Sequence, residues 1–162
     1  MTFDLELYRR ALGSFATGVT IVTTLDEAGN GHGLTVNSFT SVSLDPPLVL
    51  WCLGNKSDSY ELFSNCANYA INILADQQGD LALRFAGKGK QSLKGDEFSR
   101  MQTGSPMLPG MCAVIDTKVV QKVVAGDHLI LIGQTQDYWV GHGHGLTYHR
   151  GHFGSTTAWF RP

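Results

Sequence analysis

The residues most suited to chemistry fall in a few short stretches. The first is the hydroxyl- and amide-rich run Thr35-Val36-Asn37-Ser38-Phe39-Thr40-Ser41-Val42-Ser43. Alternate residues of a strand face one side, so Thr35, Asn37 and Ser41 would line a surface able to hydrogen-bond a flat heteroaromatic ligand. The same spacing also describes an edge strand with a solvated face. A second stretch, Asn55-Lys56-Ser57-Asp58-Ser59, precedes a short helical pattern. Free N–H groups at a helix start, beside hydroxyls and a lysine, bind phosphate through charge-assisted hydrogen bonds. Asp58 opposes an anion there unless it points away, and without a ligand the segment is a well-capped helix. Phe85-Ala86-Gly87-Lys88-Gly89-Lys90 offers backbone and lysines to a phosphate in the same way, or is an ordinary solvated helix end. It is not a P-loop, because Arg84 stands where the first glycine belongs and Gln91 where Ser or Thr must follow the lysine. No G-x-G-x-x-G follows a strand, so a nicotinamide dinucleotide would bind without a Rossmann fold.

His142, His144, His149 and His152 fall within eleven residues, with His128 apart after a turn. Histidine is a common nitrogen ligand for zinc. The interleaved Gly141, Gly143 and Gly145 describe a mobile loop instead, and no acidic residue after Trp139 is present to orient a ligand. The cysteines, Cys52, Cys66 and Cys112, are odd in number and lack C-x-x-C spacing, which supports neither a disulfide framework nor a zinc knuckle. Serine and cysteine occur without G-x-S-x-G or a neighbouring base, which argues against nucleophilic catalysis.

The elements that must carry these residues fit one domain, residues 1–162, since the chain's 162 residues match a prior of about 150 per domain. With 43% hydrophobic and 16% charged residues the chain folds rather than remaining disordered, and 19 glycines suggest a turn-rich β architecture. A net charge of -2 gives no footprint for a nucleic acid. Charges within Met1–Arg10 and the absence of any long apolar run predict a soluble, cytoplasmic protein with no membrane partner.

Leu5, Tyr8, Leu12 and Phe15 recur at helical spacing between Thr2 and Gly18, predicting a packed amino-terminal helix capped by Thr2 or Asp4. The β-branched run Val19–Thr24, the polar turn Asp26–Gly31 and the alternation of Leu34 and Val36 predict a hairpin. After Asp45-Pro46-Pro47, the apolar run Leu48–Leu53 predicts a buried strand. A short helix is expected over Tyr60–Ser64, capped by Ser57, Asp58 or Ser59, then a strand over Tyr69–Leu74 and a helix over Gln77–Phe85. Ser92–Gly110 reads as a loop holding at most one short helix or turn. Cys112–Val124 and His128–Val140 read as long strands joined by Gly126-Asp127. Strands outnumber helices, and closing them into a barrel would remove exposed edges.

Taken together, FATGVTIVTT at 15–24, GLTVNSFTSVSLDPPLVLWCL at 33–53, YAINIL at 69–74, RFAGK at 84–88 and GDHLILIGQ at 126–134 resemble the short-chain flavin reductases. Members of that family act as reductase components of two-component flavin monooxygenases, reducing free flavin with NAD(P)H. The resemblance runs from about residue 7 to Phe153 and implies a homodimer of FMN-binding split barrels, mainly β Greek-key barrels with a few short helices. It implies an NADH- or NADPH-dependent enzyme that uses FMN or FAD, with a flavin-dependent monooxygenase as partner. It also implies roles for individual residues. Asn37, Ser38, Thr40 and Ser41 would contact the isoalloxazine edge, with Cys52 and Leu53 beneath the ring or ribityl chain. Lys56, Ser57 and Ser59 would hold the phosphate end, and Phe85, Ala86 and Gly87 would close over it. His128 would stand near the nicotinamide, and Tyr148, His149 and Phe153 would border the same pocket. The competing expectations are a reductase that keeps its flavin and serves another acceptor, and a flavin-binding sensor or electron carrier.

Overall fold

The computed structural model describes residues 3–89 and 91–157. Thr2, one of two expected caps, and Lys90 of the glycine-rich loop lie outside them. The chain begins with α1 (Leu5–Leu12), followed by β1 (Thr17–Gly18), β2 (Thr20–Leu25), β3 (Gly31–Val36), β4 (Thr40–Leu44) and β5 (Pro47–Gly54). Then come α2 (Tyr60–Asn65), β6 (Asn68–Ile73), α3 (Gly79–Ala86), β7 (Gln91–Leu93), β8 (Ser99–Arg100) and β9 (Pro106–Met107). The long hairpin β10 (Ala113–Ala125) and β11 (His128–Val140) leads to β12 (Leu146–His149) and β13 (His152–Ser155). No described helix is long and apolar enough to cross a membrane.

Eight strands form one antiparallel sheet in the order β4-β5-β11-β10-β6-β2-β3-β7. The sheet is curled, as its core shows. Leu34 and Val36 of β3 pack in the same cluster as Trp51 and Leu53 of β5, although those strands stand near opposite ends of the order. Val22, Tyr69, Ile71, Leu129 and Leu131 complete this interior, with Phe63 of α2 set edge-on to the Trp51 ring at 5.4 Å. A second cluster covers the outside of the barrel wall and includes Ile21, Ala70, Ala82, Phe85, Met111 and Leu146. β2 is therefore buried on both faces, Ile21 against one cluster and Val22 against the other, which is why its sequence is apolar and β-branched without alternation. A separate small sheet, β1-β12-β13, packs on this wall through Leu146.

Three expectations need correction. The amino-terminal helix forms, capped by Asp4 through a bond from Leu7 N to Oδ1 (3.0 Å), but none of its residues is buried. Its periodicity reported amphipathicity and not a partner within the chain. Ser92–Gly110 is not a bare loop. Ser92 and Leu93 belong to β7, which adds an edge to β3, and β8 pairs with β9. Ser59 stands at the start of α2 but makes no side-chain cap; the Ser57 hydroxyl accepts from Ser59 N at 3.2 Å instead.

Candidate functional site

The bend between β3 and β4 carries the first candidate residues. Thr35, one residue before the end of β3, donates its hydroxyl to Ala82 O of α3 (2.7 Å), so it ties the helix to the barrel. Ser38 faces β5: its Oγ accepts from Cys52 N (3.0 Å) and donates to Cys52 O (3.2 Å), acting as a surrogate strand across the bend. Asn37, Thr40 and Ser41 are exposed. Side chains alternate along β5, placing Val49, Trp51 and Leu53 inside the barrel and Leu48, Leu50 and Cys52 on its outer face. Leu53, expected beneath a ring, is fully buried inside. Cys52 is half-buried outside, and desolvation pushes its thiol above the ordinary range, with the Ser38 hydrogen bond opposing.

On the neighbouring strand, His128 pairs with Gly54 and its imidazole lies over that position, 3.7 Å from where a Cβ would stand. Its Nδ1 lies 2.7 Å from Asp127 Oδ1, a contact that holds the Asp127 carboxyl below its usual range. Asn55 N donates to Asp127 O (2.9 Å), joining the Gly126-Asp127 turn to the loop that carries Lys56 and Ser57. Lys56 is exposed, Ser57 half-buried and Ser59 buried, so the lysine ammonium is the freely presented polar group of the three. The next link is Asp58, whose Oδ2 accepts from Gly89 N at 2.6 Å. The carboxylate thus points into the glycine-rich loop and occupies one of its N–H groups.

That loop ends α3, whose two faces differ. Ala82 and Phe85 turn into the core. Phe85, expected to close over a phosphate, is fully buried, because Gly33 of β3 lets its ring approach so closely that an added Cβ would stand 2.6 Å from Cδ1. Leu83 and Ala86, on the other face, line a cleft of about 250 Å3 together with Val19, Val36, Asn37, Tyr148 and Phe153. Tyr148 and Phe153 are partners across β12 and β13, with ring centroids 5.6 Å apart. His149 is exposed and sits opposite His152, and among the described residues no three His, Cys, Asp or Glu side chains are grouped to hold a metal.

These links close a circuit. Ser38, next to Asn37, reaches Cys52, β5 reaches His128, Asp127 reaches Asn55, Asp58 reaches Gly89, and Ala86 returns to Asn37 across the cleft. Apolar walls with an amide, a phenol and an aromatic ring suit a planar heteroaromatic group. The adjoining loop suits a phosphate through the Lys56 ammonium, since the N–H groups of Asn55, Ser57, Ser59, Gly87 and Gly89 are already donated within the chain. The cleft is also smaller than the roughly 300–1,000 Å3 of a complete small-molecule site.

Comparison with known proteins agrees with this chemistry. Residues 12–157 match the model of the flavin reductase like domain. The chain is 39% identical over 140 residues to the actinorhodin polyketide dimerase of Streptomyces coelicolor, covering 86% of this chain and 79% of that protein. It is 40% identical over 154 residues to the reductase component of a flavin-dependent trigonelline monooxygenase from Acinetobacter baylyi, covering 95% of this chain but only 48% of that longer protein. Among solved structures, the Streptomyces globisporus NADH:FAD oxidoreductase in complex with NAD and FAD fragments superposes with a TM-score of 0.82 at 30% identity, covering 98% of this chain and 94% of that one. The curled sheet is thus the split-barrel-like fold of flavin reductases. With the family model matching nearly the whole sequence, the chain belongs to the flavin reductase like domain family.

Proposed function

We propose that the protein is an NAD(P)H:flavin oxidoreductase of one domain, residues 1–162, that reduces FMN or FAD and supplies the reduced flavin to a separate flavin-dependent monooxygenase in the cytoplasm. The observation that carries this reading is the circuit joining the apolar cleft, the Lys56 loop and His128 into one surface. Hydride passes from the nicotinamide to the flavin ring, chemistry that belongs to the two bound molecules. The protein's part is to stack them within reacting distance and to place hydrogen-bond donors where charge develops.

In this reading Asn37, Thr40 and Ser41 meet the ring edge, Ser38 fixes the bend that presents them, and Cys52 lies beneath the flavin. Lys56, with the Ser57 hydroxyl, takes the phosphate, and Ser59, whose N–H is donated to that hydroxyl, holds it in place; Ala86 and Gly87 lie alongside. His128, Tyr148, His149 and Phe153 border the nicotinamide. The cleft in one chain holds a single ring system, and a second copy completes it. Leu5, Tyr8, Leu12 and Phe15 of the α1 stripe are 47–75% exposed. The outer face of β5 and β11 adds half-buried Leu48, Leu50, Ile130 and Ile132. Both surfaces are suited to burial in a homodimer.

The test is oxidation of NADH and NADPH by the purified protein, followed by loss of dihydronicotinamide absorbance, with and without FMN, FAD and riboflavin. Saturable oxidation that requires added flavin is expected. Absence of oxidation under every combination would overturn the reading, and ping-pong kinetics with a retained flavin would replace it with a reductase of another acceptor.

A further inference from the structure

The surface carries a second hollow besides the cleft. It has about 730 Å3 and lies between α1 and the tip of the β12–β13 hairpin, lined among others by Arg9, Arg10, Ser14, Tyr148 and Arg150. Tyr148 lines the cleft as well, so the two spaces adjoin across one phenol ring. Glu6 is the single carboxylate among the lining residues, against three guanidinium groups. Among the described residues, none of these arginines forms an ion pair.

Arg9 and Arg10 sit in the last turn of α1, where positive charge complements the helix dipole. That accounts for two of the three. Arg150 has no such reason. It occupies the first position of the two-residue turn between His149 and His152 with φ +48°, in the left-handed region that favours glycine. Its backbone N donates to Gly13 O (3.0 Å) and its Nη2 to Ser14 Oγ (3.1 Å), so the guanidinium is fixed against α1 with most of its donors unspent. A long cationic side chain is thus held at a strained position in a hollow that two more arginines also line.

We propose that this hollow binds the phosphate groups of the nicotinamide dinucleotide, with Arg9, Arg10 and Arg150 as the contacts. The ring would enter the cleft and the adenylate arm would cross Tyr148 into the hollow. The proposal rests on the reductase reading for the identity of the dinucleotide. Helical spacing puts Arg10 on the side of α1 away from the stripe of Leu5, Tyr8 and Leu12, and Arg9 at its border, so covering the stripe in a dimer leaves Arg10 open.

Two variants test it: Arg150→Gly, which removes the guanidinium and relieves the backbone, and the double variant Arg9→Gln with Arg10→Gln. Calorimetric titration of the flavin-free protein with NAD+ should show affinity reduced about tenfold or more, the scale of losing a charge-assisted bidentate contact. The KM for NADH should rise in parallel. The KM for FMN, and that for N-benzyl-dihydronicotinamide, which has no phosphate, should stay as in the wild type. A larger rise for NADPH than for NADH places the 2′-phosphate in the hollow; an equal rise places the pyrophosphate there. Unchanged NAD+ affinity in both folded variants would overturn the proposal. So would an equal rise for the benzyl compound, or a rise for FAD in place of NADH. A wild-type protein that oxidises no dihydronicotinamide fails the reductase reading alone, since the NAD+ titration still decides the hollow.

Discussion

The Asp58 carboxylate accepts a hydrogen bond from the Gly89 backbone at 2.6 Å, binding the loop before α2 to the loop after α3. The contact gives Asp58 opposite effects on a phosphate bound nearby: it holds the two loops together and it adds a negative charge beside them. Asp58→Asn keeps an acceptor and removes the charge, so the flavin KM should fall about twofold to fivefold, the scale of one weak exposed charge interaction. Asp58→Ala removes the tether too and should raise it. Steady-state kinetics with FMN checks both, and equal KM values in the two variants would detach Asp58 from the site.

Ser38 fills both backbone positions of Cys52 with one hydroxyl. Ser38→Ala leaves a half-buried N–H and C=O unpaired, which costs about 1–3 kcal/mol of stability. Chemical denaturation should show this loss, accompanied by a raised flavin KM because the bend also presents Asn37 and Thr40.

The core position of Phe85 makes a third prediction. Gly33→Ala would drive a methyl to within 2.6 Å of the Phe85 ring and destabilise the fold by about 1–3 kcal/mol. Replacing Phe85 by the smaller Leu in the same chain should recover part of the loss, a non-additivity that denaturation of the single and double variants would reveal. Strict additivity would contradict the contact.

Phe85 also shows what could and could not be read beforehand. The resemblance marked the RFAGK segment but could not say which face of α3 each residue takes. Phe85 follows Ala82 into the core, while Leu83 and Ala86 border the cleft. Thr35 was legible as a polar strand residue, yet its hydroxyl goes to Ala82 O rather than to open surface. β2, β5, β10 and β11 stand out in the sequence because each carries a long apolar or β-branched run. β7 does not, because a short edge strand with Leu93 as its one buried residue leaves no period to detect. The circuit among Asp58, Gly89, Asn55 and Asp127 consists of hydrogen bonds from backbone N–H groups to distant segments, which leave no mark in local composition.

Arg84 and Glu97 predict an acid-sensitive edge. Glu97 accepts from Arg84 Nη1 (2.6 Å) and from Lys94 N (2.7 Å), and Arg84 Nη2 donates to Ser92 O, so the pair pins β7 and its turn to α3. The Arg84 hydrogen bond, followed by that from Lys94, pulls the Glu97 carboxyl from 4.5 down to about 2. A group whose folded value is depressed contributes stability above its unfolded value and loses it as the pH falls through the folded one. The pair's contribution should therefore be complete above about pH 5 and mostly lost by pH 2. Glu97→Gln should be less stable than the wild type at neutral pH, with the gap closing as the pH falls toward 2, and a gap that does not shrink over that range would assign the effect to packing.

The final prediction concerns α1, whose apolar stripe is left exposed by the described residues of its own chain. Phe15 is 75% exposed and Leu12 58% exposed, values that one chain alone would leave as an open hydrophobic surface. In a homodimer these side chains are desolvated, so a carboxylate at either position has to be buried unpaired or the interface must open. Leu12→Glu or Phe15→Glu should shift the protein from dimer to monomer in analytical ultracentrifugation, with melting of the isolated barrel changed little because neither side chain belongs to its core. If the second copy also completes the cleft, flavin affinity should fall with dimer content and recover at high protein concentration, a dependence that a purely local defect would not show. A wild-type protein that sediments as a monomer at all concentrations would remove the dimer from the proposal and leave the α1 stripe for another partner.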